Sequence, residues 1–160
     1  MTVQEYNISV DEFADAIFRF AYKLTQSKVD ADDLVQISFE KLWRAHENVD
    51  FAKVKSWLFT TIYRSFIDSK RRMRLDLIES FPDEAGEERN TDFELKEILD
   101  KALSMIPEIQ KSCILLRDYE GYAYDEIGEI LQLSEAQVKV YIFRARTKMK
   151  QILTEKFNLS

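Results

Sequence analysis

Between Arg117 and Lys150 the sequence RDYEGYAYDEIGEILQLSEAQVKVYIFRARTKMK sets two helical apolar stripes on either side of a very short corner. Ile127, Ile130 and Leu131 recur at helical spacing before the corner, and Val138, Ile142, Ala145 and Met149 follow it at steps of four, three and four. Each helix therefore has one side to bury. Gln132-Leu133-Ser134 leaves room only for a sharp turn, and Ser134 followed by Gln137 is a capping-box pattern, in which the serine oxygen accepts from an otherwise orphaned amide. Two stripes forced together at a tight corner predict a helix-turn-helix.

The second of these helices carries an argument for a partner. From Gln137 to Lys150 the ionisable residues are Lys139, Arg144, Arg146, Lys148 and Lys150, all positive, in a chain whose net charge is −6. Such a helix suits a major groove, where Lys and Arg meet phosphates or guanine edges. Phe143 lies off the apolar stripe among these bases, in position to meet a thymine methyl. The competing reading is a solvated basic face.

With 160 residues, three Gly, two Pro and apolar segments at helical rather than alternating spacing, the chain predicts an all-α protein of one or two small domains. The start, MTVQEYNISVDEF, has neither a basic region nor an apolar run, and no later stretch reaches the roughly 18 apolar residues of a membrane span. The expected location is cytoplasmic. Cys113, the single cysteine, lies in the apolar run Cys113-Ile114-Leu115-Leu116 and reads as buried packing. His46, the single histidine, has no His or Cys neighbour with which to hold a metal and reads as a surface or capping residue. No cofactor, metal site or catalytic constellation is expected, and hence no enzyme.

The acidic excess is local. Residues 1–74 hold 12 basic and 11 acidic side chains, residues 94–160 hold 10 and 11, and residues 75–93 hold 1 and 7. That middle stretch, LDLIESFPDEAGEERNTDF, also contains Pro82 and Gly86, so it predicts a flexible acidic linker between two helical domains, able to fold back on either basic surface.

In the first domain, Phe13, Ile17, Phe20 and Leu24 form one stripe of a helix expected to begin after Ser9 or at Asp11 and to end near Ser27. In VDADDLVQISFEKLWRAHEN, Asp30 is the expected N-cap, with Asp32 and Asp33 in the first turn. Leu34, Ile37 and Leu42 make an inward stripe, and Val35, Phe39 and Trp43 a second one suited to a protein partner. The paired acids are better explained by capping and a partner contact than by catalysis, since nothing nearby completes a site. The helix KVKSWLFTTIYRSFIDSKRRMR mixes aromatics over more than one face with a local charge of +6. Cations for phosphates and flat rings for unstacked bases suit single-stranded nucleic acid, while a core helix with a charged end explains the segment about as well. Beyond the linker a helix is expected from Thr91 or Asp92 to a boundary at Pro107, then another from Ile109 to Tyr119.

Taken together, AYKLTQSKVDADDLVQISFEKLW, KSWLFTTIYRSFIDSKRR, ALSMIPEIQKSCILLRDYEGYAYDEIGEIL and LSEAQVKVYIFRAR resemble the extracytoplasmic-function sigma factors of bacterial RNA polymerase, over about residues 10–152. The resemblance implies two domains, region 2 in residues 1–74 and region 4 in residues 94–160. It implies docking on the largest-subunit clamp helices of core RNA polymerase through Asp32, Asp33, Leu34 and Gln36. Promoter DNA would be opened and held at the minus-ten element by Asn48, Lys53, Lys55, Trp57, Tyr63, Arg64, Lys70 and Arg71. The minus-thirty-five element would be read by Ser134, Gln137, Lys139, Val140, Tyr141, Phe143, Arg144 and Lys148. An anti-sigma factor is an implied partner. The turn departs from the family in having Gln132 where Gly is common, and the recognition helix has Val140 and Tyr141 where Ser and Arg are common. A helix-turn-helix regulator acting without polymerase is the alternative, although it leaves the N-terminal half without a role.

Overall fold

The computed structural model describes residues 1–77 and 94–158, and no strand occurs among them. Helix α1 spans Val3–Thr25. It starts well before Ser9 because Thr2 and Glu5 close a capping box, with Glu5 N–H donating to Thr2 Oγ1 and Thr2 N–H to Glu5 Oε1. Its stripe points inward as expected, with Ile17, Phe20 and Leu24 buried and Phe13 half-buried. Gln26 ends the helix in the left-handed region at φ 56°.

The cap of α2, Lys28–Ala45, is Ser27 rather than Asp30: Ser27 Oγ accepts from Asp30 N–H, which moves Asp30 into the first turn and Asp32 and Asp33 into the second. Ala31, Leu34, Ser38 and Leu42 are buried on α2, and Ile37, expected to face inward, is 39 % exposed. Serine at a core position costs little here because Ser38 Oγ donates back to the Leu34 carbonyl at 2.8 Å. His46 takes the capping role expected of it, with Nδ1 2.5 Å from the Trp43 carbonyl and its ring stacked on Trp43.

Two short 3₁₀ turns, His46–Asn48 and Phe51–Lys53, lead into α3, Val54–Leu77. Asp50 caps the second turn through Ala52 N–H, and the Met1 amine donates to the His46 and Val49 carbonyls. Val54, Leu58, Phe59, Ile62 and Phe66 bury one side of α3 against α1 and α2, with Phe20 and Phe59 rings 5.4 Å apart. Residues 75–77, expected in the linker, continue α3. Pro82, Gly86 and the expected helix start at Thr91 or Asp92 lie outside the described residues.

The C-terminal half has α4 at Leu95–Ser104 and α5 at Glu108–Ile114, separated at Pro107 as expected. The helix expected to run on to Tyr119 instead widens into a π-type turn at Leu115–Tyr119, closed by Glu120 N–H to the Leu115 carbonyl. Cys113 is fully buried, and burial pushes its thiol up to about 12, which suits packing rather than reactivity.

Helices α6, Tyr124–Leu131, and α7, Glu135–Phe157, form the helix-turn-helix. Gln132 takes the corner at φ 59° without glycine's freedom, and the Ser134–Gln137 capping box closes in both directions. The approach of the chain to α6 at this corner depends on Gly128, where a Cβ would lie 2.6 Å from the Leu133 carbonyl oxygen.

The two halves pack on one another, sharing one cluster of buried apolar residues. Phe59 of α3 meets the edge of Tyr122 at 5.2 Å, and α3 lies along α6. Around this contact run Arg19–Glu120, Lys23–Asp100, Lys53–Glu129, Lys55–Glu126 and Lys70–Glu108. In these five pairs the cation belongs to the N-terminal half and the acid to the C-terminal half.

Lys111 is 3 % exposed in this seam, its Nζ 3.5 Å from the Leu24 carbonyl at the end of α1. Burial pulls its pKa down, Lys70 and Lys23 add to that effect, and Glu108 and Asp100 oppose it. The unfolded chain thus holds this proton more tightly, so stability rises with pH between the lowered value and the ordinary 10.5. Lys111→Met is expected to flatten that slope and to leave the protein at least as stable at neutral pH, because a buried unpaired charge is replaced by an apolar chain of similar length. Urea midpoints from neutral to alkaline pH check it, and an unchanged slope would assign the dependence to other groups.

Candidate nucleic-acid interface

The apolar stripe Val138, Ile142, Ala145, Met149 and Ile152 fixes the rotation of α7, since all five are buried. The opposite side is thereby turned outward, and there Phe143 is 71 % and Val140 45 % exposed. Arg144, Lys148 and Lys150 are exposed beside them. Phe143 packs against none of the core residues and stands flanked by cations. The remaining bases are engaged: Arg146 makes a two-pronged pair with Asp118 at 3.0 and 2.5 Å, and Lys139 lies 3.5 Å from Glu135 and over the Tyr124 ring. Tyr141 is half-buried and packs on the core, so it contributes an edge at most. Ser134 and Gln137 are exposed at the helix start, where their side chains already cap.

The other candidate surface lies on α3 and the turn before it. A cleft of about 540 Å³ is lined by Lys53, Ser56, Trp57, Thr60, Thr61 and Arg64, with Glu129 and Gln132 of the helix-turn-helix on its far wall. Spacing on α3 explains the grouping, because residues 56, 57, 60, 61 and 64 fall on one helical face and Lys53 ends the turn that leads into it. Thr60 and Thr61, which sequence reasoning passed over, share that face with Trp57, and the i, i+3, i+4 spacing was the signal available. Asn48 and Arg71 are exposed, and Lys70 is exposed and paired with Glu108. Tyr63 is half-buried and packs against the core, so less of its ring is free for stacking than an exposed side chain would offer, and burial pushes its phenol above the ordinary value.

On α2, Asp32, Asp33 and Gln36 are exposed as a partner contact requires. Leu34, expected among them, is only 6 % exposed and anchors the helix instead. Val29, 70 % exposed, and Ile37 are the apolar residues that share the outer side with the acids.

The Sigma-70 region 2 family matches residues 10–75, and the Sigma-70, region 4 family matches residues 96–149. The RNA polymerase sigma factor SigV of Bacillus subtilis is 30% identical over 144 residues, covering 86% of this chain and 84% of that protein. The chain belongs to the sigma-70 family, in its extracytoplasmic-function class. The class is that of the ECF sigma factor SigM of Bacillus subtilis, which is 29% identical over 161 residues, 94% of this chain and 99% of its own.

As a sigma factor the protein directs transcription initiation with RNA polymerase, and its two family regions coincide with the two halves that carry the basic surfaces. Its fold is that of the Bartonella quintana sigma factor RpoE, solved in complex with the anti-sigma factor NepR, with TM-score 0.80, 23% identity and coverage of 96% and 99%. It is also that of CnrH, solved with the cytosolic domain of CnrY, with TM-score 0.72, 22% identity and coverage of 94% and 88%. No helix among the described residues of this sigma factor is long and apolar enough to cross a membrane.

Proposed function

We propose that this sigma factor divides its work among three surfaces: the outer side of α2 docks on the clamp helices of core polymerase, α3 with the preceding turns holds the opened minus-ten strand, and α7 reads the minus-thirty-five duplex. Residues 1–74 and 94–160 are the two working domains, residues 75–93 join them, and the protein acts in the cytoplasm as a non-enzymatic specificity subunit. An anti-sigma factor is its expected inhibitor, by analogy with the RpoE complex.

The observation that carries the reading is the outward face of α7, where an exposed Phe143 stands among Val140, Arg144 and Lys148 on a helix whose other side is locked into the core. A groove-reading helix needs that rigidity, because base contacts are lost if the side chains shift by an ångström or so. Arg144 has the fork to meet a guanine edge, and Phe143 the apolar face for a thymine methyl.

The test is run-off transcription with core polymerase on genomic fragments, followed by gel-shift titration of the promoter found. Arg144→Ala is expected to cost about 1 to 3 kcal/mol in holoenzyme binding and to relax preference at one base position. Lys148→Ala is expected to weaken binding evenly across sequences and to lower the salt slope by about one unit. The same sequence-independent loss in both variants would reduce α7 to a phosphate clamp, and tight promoter binding without polymerase would favour a stand-alone regulator.

A further inference from the structure

The lysines of the minus-ten surface, Lys53, Lys55 and Lys70, are already paired with acids of the C-terminal half, whereas Arg64 and Arg71 are exposed. Lys55 Nζ lies 2.5 Å from Glu126 Oε2 and 4.4 Å over the Tyr122 ring. Lys53 Nζ is 3.3 Å from Glu129 Oε1, and the same oxygen accepts from Ser56 Oγ at 3.3 Å. Thr60 Oγ1 donates to the Ile130 carbonyl at 2.8 Å. Lys53, at the end of the turn that leads into α3, lies on the same side as Ser56 and Thr60 of α3, and residues 126, 129 and 130 share one face of α6, so the contact is a register of two elements rather than a chance meeting.

The chemistry of the register is one-sided. From α3 and the turn before it come two ammonium groups and two hydroxyls, all donors in these contacts. From α6 come two carboxylates and a carbonyl, which accept. A nucleic-acid strand offers the same set, with anionic phosphate oxygens for the ammonium groups and neutral oxygens for the hydroxyls. We propose that α6 acts in cis as a stand-in for the promoter strand, its Glu126, Glu129 and Ile130 face occupying the minus-ten surface of the free chain and leaving when DNA is loaded. The proposal rests on reading Lys53 and Lys55 as minus-ten residues.

The placement has two consequences. Glu129 and Gln132 wall the 540 Å³ cleft that holds Trp57, Thr60 and Arg64, so the helix that neutralises the cations also narrows the space for a base. The outward face of α7, with Phe143, Arg144 and Lys148, remains exposed in the same arrangement. The free chain is therefore masked at the lysines of one DNA surface and open at the other. An acidic linker was the expected source of masking, whereas the acids that meet Lys53 and Lys55 come from the first helix of the helix-turn-helix.

The experiment uses the full chain and a labelled single-stranded DNA of mixed sequence, about 16 nucleotides long to span one binding surface. Glu126→Gln with Glu129→Gln removes both charges, while the amide oxygen introduced at position 126 can still accept from Ala123 N–H, which caps α6. This variant is expected to bind the strand roughly tenfold tighter than wild type, with a salt slope steeper by about 1.4 because two lysines are freed. Adding Lys53→Ala and Lys55→Ala to it should abolish the gain. Equal binding by wild type and the acid-neutralised chain, with the lysine substitutions weakening both, would overturn the stand-in and leave the minus-ten reading in place. A gain that survives loss of the lysines would also overturn it. If the lysine substitutions change neither protein, the minus-ten reading falls first and takes the proposal with it.

Discussion

Gly128→Ala is expected to destabilise the helix-turn-helix by about 2 to 3 kcal/mol, because the added methyl meets backbone and cannot be relieved by a rotamer change. For a chain of this size that lowers the melting midpoint by roughly 4 to 12 °C. The Cβ would stand 2.6 Å from the Leu133 carbonyl oxygen, so relief requires the corner at Gln132 to move. That corner sets the start of α7, and a shift there changes the angle at which Phe143 and Arg144 are presented. Promoter binding by the holoenzyme should accordingly fall more than stability alone explains, measured well below the melting midpoint. Gln132→Gly makes the natural contrast: the left-handed φ of 59° suits glycine, so this variant is expected to be neutral or slightly stabilising. Differential scanning calorimetry of both variants checks the pair, and a stable Gly128→Ala protein would mean that the corner is looser than it looks.

The second large effect concerns polymerase. Asp32→Lys with Asp33→Lys is expected to weaken association with core polymerase by about 2 kcal/mol, or roughly 30-fold, by placing like charges against the cations such a docking surface must meet. Both residues are exposed and lie in the second turn of α2, so the substitutions leave the Ser27 cap and the buried side of the helix untouched. Leu34→Asp is the uninformative choice. With only 6 % of Leu34 exposed, an aspartate there would force a carboxylate into the α1–α2–α3 core and unfold the domain. Competition against labelled wild-type protein for core polymerase decides the matter: undiminished competition by the double-lysine chain would move the docking surface elsewhere.

Periodicity by itself determined the helical class, the stripes of α1 and α7, the break at Pro107 and the helix-turn-helix, because each depends on contacts within a few residues of the chain. The Ser134–Gln137 box is the clearest instance, a local donor–acceptor exchange that closes as its spacing predicts. The same local logic was available for Thr2 and Glu5, whose capping box starts α1 at Val3, and for Ser27, which outcompetes Asp30 as the cap of α2.

Only the tertiary structure decided which of the candidate residues face outward. Leu34 and Ile37 differ by one turn-fraction of α2 and are equally apolar, and their burial is set by where α1 and α3 lie. Likewise Lys53, Lys55, Arg144 and Lys148 are equivalent cations in a list of residues, but the first two meet Glu129 and Glu126 more than 70 positions away while the last two stand exposed. Lys111 is the extreme case, a lysine in an ordinary amphipathic segment that ends up 3 % exposed at the end of α1. Such pairings join elements distant in sequence, and no periodicity within one helix encodes the surface of another against which it will come to rest.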